Sequence, residues 1–223
     1  MKANMKKTLV SSAVAGALVV GTAGFSTAKA ELEFNVGVFS DYILYGFSAS
    51  GNNAVVQGGV DYVDDSGFYL GTWWSTLAQG AGQEVDLYFG YEFAAGDVDF
   101  DIGYVYYYYP ALDDADFGDI AASVGYGPVY ASLNYTIHSD DDECPDGSYV
   151  LAIGGEFEVM PSISLAAELG YGELDTDDSD DWVFWSLGLT KATSMGDFSL
   201  TYAQTDGLDG DDPLFVVGYS MSF

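Results

Sequence analysis

The chain has 223 residues and sets 35 Asp and Glu against 5 Lys and Arg, a formal charge of −30, yet 49% of its residues are hydrophobic. So few cations exclude binding to nucleic-acid phosphates and docking on anionic lipid surfaces, both of which need Lys or Arg. With 18 Tyr, 14 Phe and 4 Trp, the chain is also not the disordered, solvated polymer its charge alone would suggest; the acids must sit in water and the aromatics out of it.

The first element is a leader. Lys2, Lys6 and Lys7 form a positive start, residues 8–24 are an apolar run, and Ala28 and Ala30 flank Lys29 in the small-residue pattern of a signal peptidase site. Residues 1–30 are therefore expected to be cleaved, and 31–223 to form one mature domain. The leader holds every basic residue except Lys191 and no acid, which leaves one lysine against 35 acids, a formal −34.

After residue 30 no stretch approaches the ~20 apolar residues of a membrane helix. A mature chain that spans a membrane must then do so as strands of a closed barrel. Period-two alternation recurs along the chain and predicts twelve strands at 32–46, 54–63, 67–76, 84–94, 97–109, 117–126, 128–138, 148–159, 162–172, 181–190, 197–204 and 214–223. In the fourth, Val85, Leu87, Phe89, Tyr91 and Phe93 share one face, and Glu84, Asp86, Tyr88, Gly90 and Glu92 the other. In the fifth, Asp97, Asp99 and Asp101 share a face that a helix would scatter.

Connections after even-numbered strands are short, and those after odd-numbered strands are longer and mostly acidic. Outer-membrane barrels pair short periplasmic turns with longer outer loops, and an even strand count puts both termini in the periplasm. In the last strand Phe215, Val217, Tyr219, Met221 and Phe223 alternate with Val216, Gly218, Ser220 and Ser222. Ending on an aromatic residue, this strand resembles the C-terminal signal read by the barrel-assembly machinery. Trp73-Trp74, Tyr106 to Tyr109 and Trp182 fall near the outer strand ends, where an interfacial aromatic girdle belongs. The expectation is an all-β antiparallel transmembrane barrel of about twelve strands, exported to the bacterial outer membrane and bounded by its lipid and lipopolysaccharide.

Two stretches carry a family resemblance. One is Ser40-Asp41-Tyr42 through Gly46-Phe47-Ser48, with Gln57-Gly58-Gly59-Val60-Asp61-Tyr62 and Gly67-Phe68-Tyr69-Leu70-Gly71-Thr72-Trp73. The other is Glu84-Val85-Asp86-Leu87-Tyr88 with Asp101-Ile102-Gly103-Tyr104 and Tyr106-Tyr107-Tyr108-Tyr109-Pro110. Over about residues 31–137 the chain resembles the TorF family of proposed outer-membrane porins, conserved bacterial proteins of uncharacterised function. The resemblance implies a porin-like barrel, and an arginine near Leu44-Tyr45 that this chain lacks.

The chemistry on offer is acidic. Glu33, Asp41, Asp61, Glu84, Asp86, Glu92, Asp97, Asp99, Asp101, Asp119, Glu156, Glu158 and Glu168 are expected to face inward. Unpaired carboxylates in a dry interior are costly, so the lumen must be hydrated, hold cations or keep some acids protonated. A hydrated acidic lumen would pass small hydrophilic solutes and prefer cations, with Glu84, Asp86, Glu92, Asp97, Asp99 and Asp101 as its selective wall. The competing reading is a side-chain-filled structural or receptor-like barrel that binds ligands or divalent cations through acidic outer loops at 140–143, 175–181 and 206–212. Those runs lack EF-hand spacing.

A barrel-wall lipid hydrolase would have to use His138, but adjacent strand residues point to opposite faces and make His138-Ser139 a poor dyad. No nucleophile elbow, Cys/His metal cluster or phosphate loop is present, and no cofactor is implied. Cys144, the single cysteine, reads as an exposed loop thiol.

Overall fold

Strand after strand, small and polar side chains point to one face and apolar ones to the other. The computed structural model describes residues 31–78, 82–141, 144–176, 181–207 and 212–223; the expected leader, with Ala28 and Ala30, lies outside them. The strands are β1 (Glu31–Phe39), β2 (Ile43–Leu44), β3 (Phe47–Ser48), β4 (Val55–Val63), β5 (Phe68–Thr76), β6 (Gln83–Ala95), β7 (Val98–Tyr108), β8 (Phe117–Tyr126), β9 (Val129–Ser139), β10 (Tyr149–Met160), β11 (Ile163–Glu173), β12 (Asp181–Thr193), β13 (Gly196–Asp206) and β14 (Leu214–Ser222). Twelve of them close into one antiparallel barrel, each beside its chain neighbour; β1 joins β4 on one side and β14 on the other. The short pair β2–β3 stands apart as a two-stranded hairpin.

The barrel is inverted relative to a soluble protein. Leu70, Leu87, Phe89, Ile102, Leu151, Ile153 and Val217 are exposed on the outside, while Glu84, Asp101 and Asp119 are buried inside. An apolar exterior on this scale suits hydrocarbon rather than water. Closure removes every sheet edge, so each strand finds backbone partners on both sides. The turns at 96–97 and 127–128 have two residues, the first a glycine at φ 70° and 58°, which matches the twist of antiparallel strands.

Eleven of the twelve expected segments map onto single barrel strands. The turn expected at 191–196 is shorter, because β12 runs to Thr193 and β13 begins at Gly196. The first segment is corrected: 32–46 is not one strand. β1 stops at Phe39, and residues 40–54 turn inward around β2–β3.

Candidate functional site

The inward turn is built by Asp41. Its Oδ1 accepts hydrogen bonds from the Tyr42 backbone N–H (2.8 Å) and from the Ser48 and Ser50 hydroxyls (2.6 Å each). Tyr45 and Gly46 make the tip at φ 49° and 90°. This geometry draws the S-D-Y and G-F-S pieces of the sequence into one compact hairpin.

The hairpin is anchored to opposite walls. On one side the Tyr42 hydroxyl donates to Glu84 Oε1 on β6 (2.6 Å), and its ring meets Trp73 on β5 edge-on. On the other, Asn134 Nδ2 on β9 donates to the Tyr45 hydroxyl. Trp182 Nε1 on β12 donates to the Tyr45 carbonyl (3.2 Å), with Phe184 and Trp182 packed on Tyr45 and Phe47. β9 stands diametrically opposite β1 in the barrel order, so the hairpin bridges the lumen near its long-loop end.

The lumen wall pairs acids with neutral donors. Tyr88 on β6 lies over Gly71 on β5 and donates to Asp61 on β4, and the three residues are in register across the strands. Tyr130 on β9 repeats the arrangement over Gly154 on β10 to reach Glu168 on β11. Glycine matters at these two positions because a Cβ would meet the ring that covers it. Glu84 takes a second hydroxyl from Tyr109 (2.9 Å), and Asp119 takes one from Thr136 (2.9 Å). Tyrosine thus does what arginine does elsewhere, at the smaller strength of an uncharged donor.

Glu84, Asp86, Glu92, Asp99 and Asp101 all face inward, by their register with Ser75, Trp73, Ala94 and one another. Asp97 does not line the wall; it sits exposed in the turn between β6 and β7, at the short-turn mouth of the barrel. Asp197, not anticipated as a lumenal acid, also faces inward beside Ser220. Strand parity from the exposed Phe198 and Leu200 would have revealed it. Lys191, the one lysine among the described residues, is exposed on the outer face and reaches the Pro161 carbonyl. Among the described residues no lysine, arginine or histidine side chain faces the lumen.

The girdle is also corrected. Trp74, Tyr106 and Tyr108 point outward, but Trp73, Tyr107, Tyr109 and Trp182 point inward, because neighbours on a strand must take opposite faces. Phe215, Val217, Tyr219, Met221 and Phe223 all lie outward, and Phe223 stacks on Phe34 across the closing seam. A register shift in β9 turns His138 outward as well, where its Nε2 meets the Tyr104 hydroxyl at 2.6 Å; Ser139 instead donates to the Asp141 carbonyl.

Cys144 is not the exposed thiol expected. It is partly enclosed, near the Thr136 hydroxyl, and burial together with the nearby Asp119 charge pushes its thiol up to about 11. A raised thiol pKa leaves the nucleophilic thiolate scarce below that pH. At pH 8, alkylation of the folded protein should be far slower than of urea-unfolded chain, and should accelerate as pH rises toward 11; equal rates by mass spectrometry would mean an open thiol. The acidic runs at 140–143, 175–181 and 206–212 fall partly outside the described residues. Among the described residues no three His, Cys, Asp or Glu side chains are grouped to hold a metal.

A family model described as a bacterial protein of unknown function (Gcw_chp) matches residues 23–220. No curated protein sequence matches the chain. Among solved structures, the KdgM porin in complex with disordered oligogalacturonate is similar, with a TM-score of 0.59 at 9% identity over 86% of this chain and 98% of that one. The NanC porin matches with 0.56 at 11% over 86% and 98%. An outer-membrane channel from Pseudomonas putida F1 matches with 0.53 at 14% over 92% and 100%. At such identities the likeness establishes the architecture, a closed antiparallel barrel of twelve strands.

Proposed function

We propose for this chain, which belongs to the Gcw_chp family of bacterial proteins of unknown function, the role of a passive outer-membrane porin for small hydrophilic solutes that prefers cations. The observation that carries this reading is the lumen itself: Glu33, Asp61, Glu84, Asp86, Glu92, Asp99, Asp101, Asp119, Glu156, Glu158, Glu168 and Asp197 face inward, with no facing cation among the described residues. Fixed carboxylates in a hydrated lumen raise the local concentration of cations and repel anions. The resemblance to the TorF family supports the porin reading, and the leader and the alternating loop lengths support the outer membrane. The outward aromatics of β14 suit recognition by the barrel-assembly machinery, and the acidic rim suits divalent bridging to lipopolysaccharide.

The oligogalacturonate held by the KdgM porin is a polyanion. A lumen without cationic side chains among the described residues gives such a ligand nothing there to pair with, so the solute proposed here is cationic or neutral.

A second reading has one observation in its favour: the hairpin bridging the lumen would suit a plugged, receptor-like barrel. Planar-bilayer conductance of the refolded mature protein in a KCl gradient decides between them. Stable unitary steps with a cation-selective reversal potential are expected. Silence from protein verified as folded would overturn the open pore in favour of the plugged barrel. A barrel-wall hydrolase gains no support, since His138 and Ser139 have separate partners.

A further inference from the structure

Four acids of the described structure are almost fully enclosed: Asp41 (7% exposed), Glu84 (2%), Asp101 (4%) and Asp119 (5%). Three have donors. Asp41 holds the hairpin, Glu84 takes two tyrosine hydroxyls, and Asp119 takes Thr136. Asp101 has none in hydrogen-bonding geometry; both of its carboxylate oxygens are buried with only the Tyr69 hydroxyl beside them. A buried carboxylate without a bonded donor is strongly disfavoured, so Asp101 calls for a counterion.

The cause lies in the register. In the rows Tyr88–Gly71–Asp61 and Tyr130–Gly154–Glu168, the acid stands directly across from the glycine that the tyrosine covers. Tyr69 on β5 begins a third such row. It crosses Gly90 on β6, but the next residue in register on β7 is Gly103, and the acid comes two positions along, at Asp101. The Tyr69 hydroxyl ends over the two glycines, buried beside the Asp101 carboxylate but outside hydrogen-bonding geometry, in a side chain only 7% exposed.

Glu92 is the direct cross-strand partner of Asp101, and Ser123 faces it from β8. Directly opposed side chains have Cβ atoms ~5 Å apart, and like charges there repel. Two carboxylates, a phenol oxygen and a hydroxyl therefore share one patch of wall, with only neutral groups to offset the two like charges.

We propose that Asp101, Glu92 and the Tyr69 hydroxyl form a binding site for a hard divalent cation of the calcium or magnesium class on the periplasmic half of the lumen wall. Hard cations take oxygen ligands, and magnesium in particular is held by one or two carboxylates with water filling the remaining positions, which fits a site open to a hydrated lumen on one side. The proposal deepens the cation preference of the porin reading and names a resident ion for it.

Calorimetric titration of the refolded protein in detergent with calcium chloride, and separately with magnesium chloride, tests it without any conductance measurement. At least one of the two ions should give one equivalent of binding above the weak background of the rim acids. That equivalent should disappear in Asp101→Asn and in Glu92→Gln, weaken in Tyr69→Phe, and persist in Asp206→Asn. Glu92 is half-buried, so Glu92→Gln keeps the test alive if Asp101→Asn does not fold. Titrations of Glu92→Gln or folded Asp101→Asn that superimpose on wild type would overturn the site and leave a proton shared by the two carboxylates as the counterion. A barrel that binds calcium but passes no current would refute the porin reading and keep the site; a conducting barrel without the equivalent would do the reverse.

Discussion

Replacing residues 41–52 with a short Gly-Ser bridge is expected to raise the unitary conductance severalfold. The hairpin reaches from its roots on β1 and β4 to Asn134 on the opposite wall and meets Glu84, Trp73, Trp182 and Phe184 on the way. A two-stranded ribbon is ~5 Å across between its strand axes, before side chains are counted, and this one carries Tyr42, Tyr45 and Phe47 on its edges. Removing it leaves the twelve-stranded ladder intact, because β2 and β3 pair only with each other. It also uncovers Glu84, which keeps the Tyr109 hydroxyl and gains water in place of Tyr42.

A gentler variant separates obstruction from loss of fold. Tyr42→Phe with Asn134→Ala removes one anchor on each wall, at about 1–3 kcal/mol for a hydrogen bond to a charged group and less for the neutral one. This variant should show flickering current between the wild-type and deletion levels. Should wild type be silent, the deletion becomes the more telling experiment, since a plugged barrel ought to open. Conductance unchanged in both variants would mean that the narrowest point lies elsewhere.

What the sequence could and could not convey follows from how each feature is encoded. The barrel is written locally. Residues 84–93 and 97–108 display their faces two by two, and the structure keeps those faces: Leu87, Phe89 and Ile102 outside, Asp86, Glu92 and Asp101 inside. The hairpin is also β structure, so the alternation runs through 40–46 without a break. What ends β1 is a side chain, Asp41, that closes on hydroxyls seven and nine residues further along. Such a closure leaves no periodic trace, although its residues are those of the S-D-Y and G-F-S pieces. The Trp73-Trp74 pair was readable in principle, since one of two adjacent residues had to turn inward. The tyrosine–glycine–acid rows were not, because they depend on register between three strands, and register is set by turn lengths and closure.

Charge reversal at the short-turn end should invert the selectivity. In Asp97→Lys/Asp99→Lys/Asp101→Lys each exchange moves the mouth by two charge units, in a lumen that no cationic side chain of the described residues faces. A unit charge ~4 Å from a passing ion is worth ~1 kcal/mol in bulk water and ~4 kcal/mol at an effective dielectric of ~20. A tenfold change in relative permeability needs only ~1.4 kcal/mol. Two or three residues at a mouth therefore suffice, and the reversal potential in a KCl gradient should cross from cation- to anion-preferring. The three positions are not equivalent. Asp97 is exposed in the turn and Asp99 is half-buried, whereas Asp101 is enclosed, so a lysine there competes with folding. Asp97→Lys/Asp99→Lys alone should carry most of the shift and stands in if the triple variant fails to refold. The effect should be largest near 0.1 M salt, where the screening length is ~10 Å, and fade toward 1 M, where it is ~3 Å. A reversal potential that stays at the wild-type value in both variants at low salt would move selectivity away from this mouth. It would then pass to the acids beside the hairpin, Glu84, Asp86 and Asp119, where the lumen is already bridged.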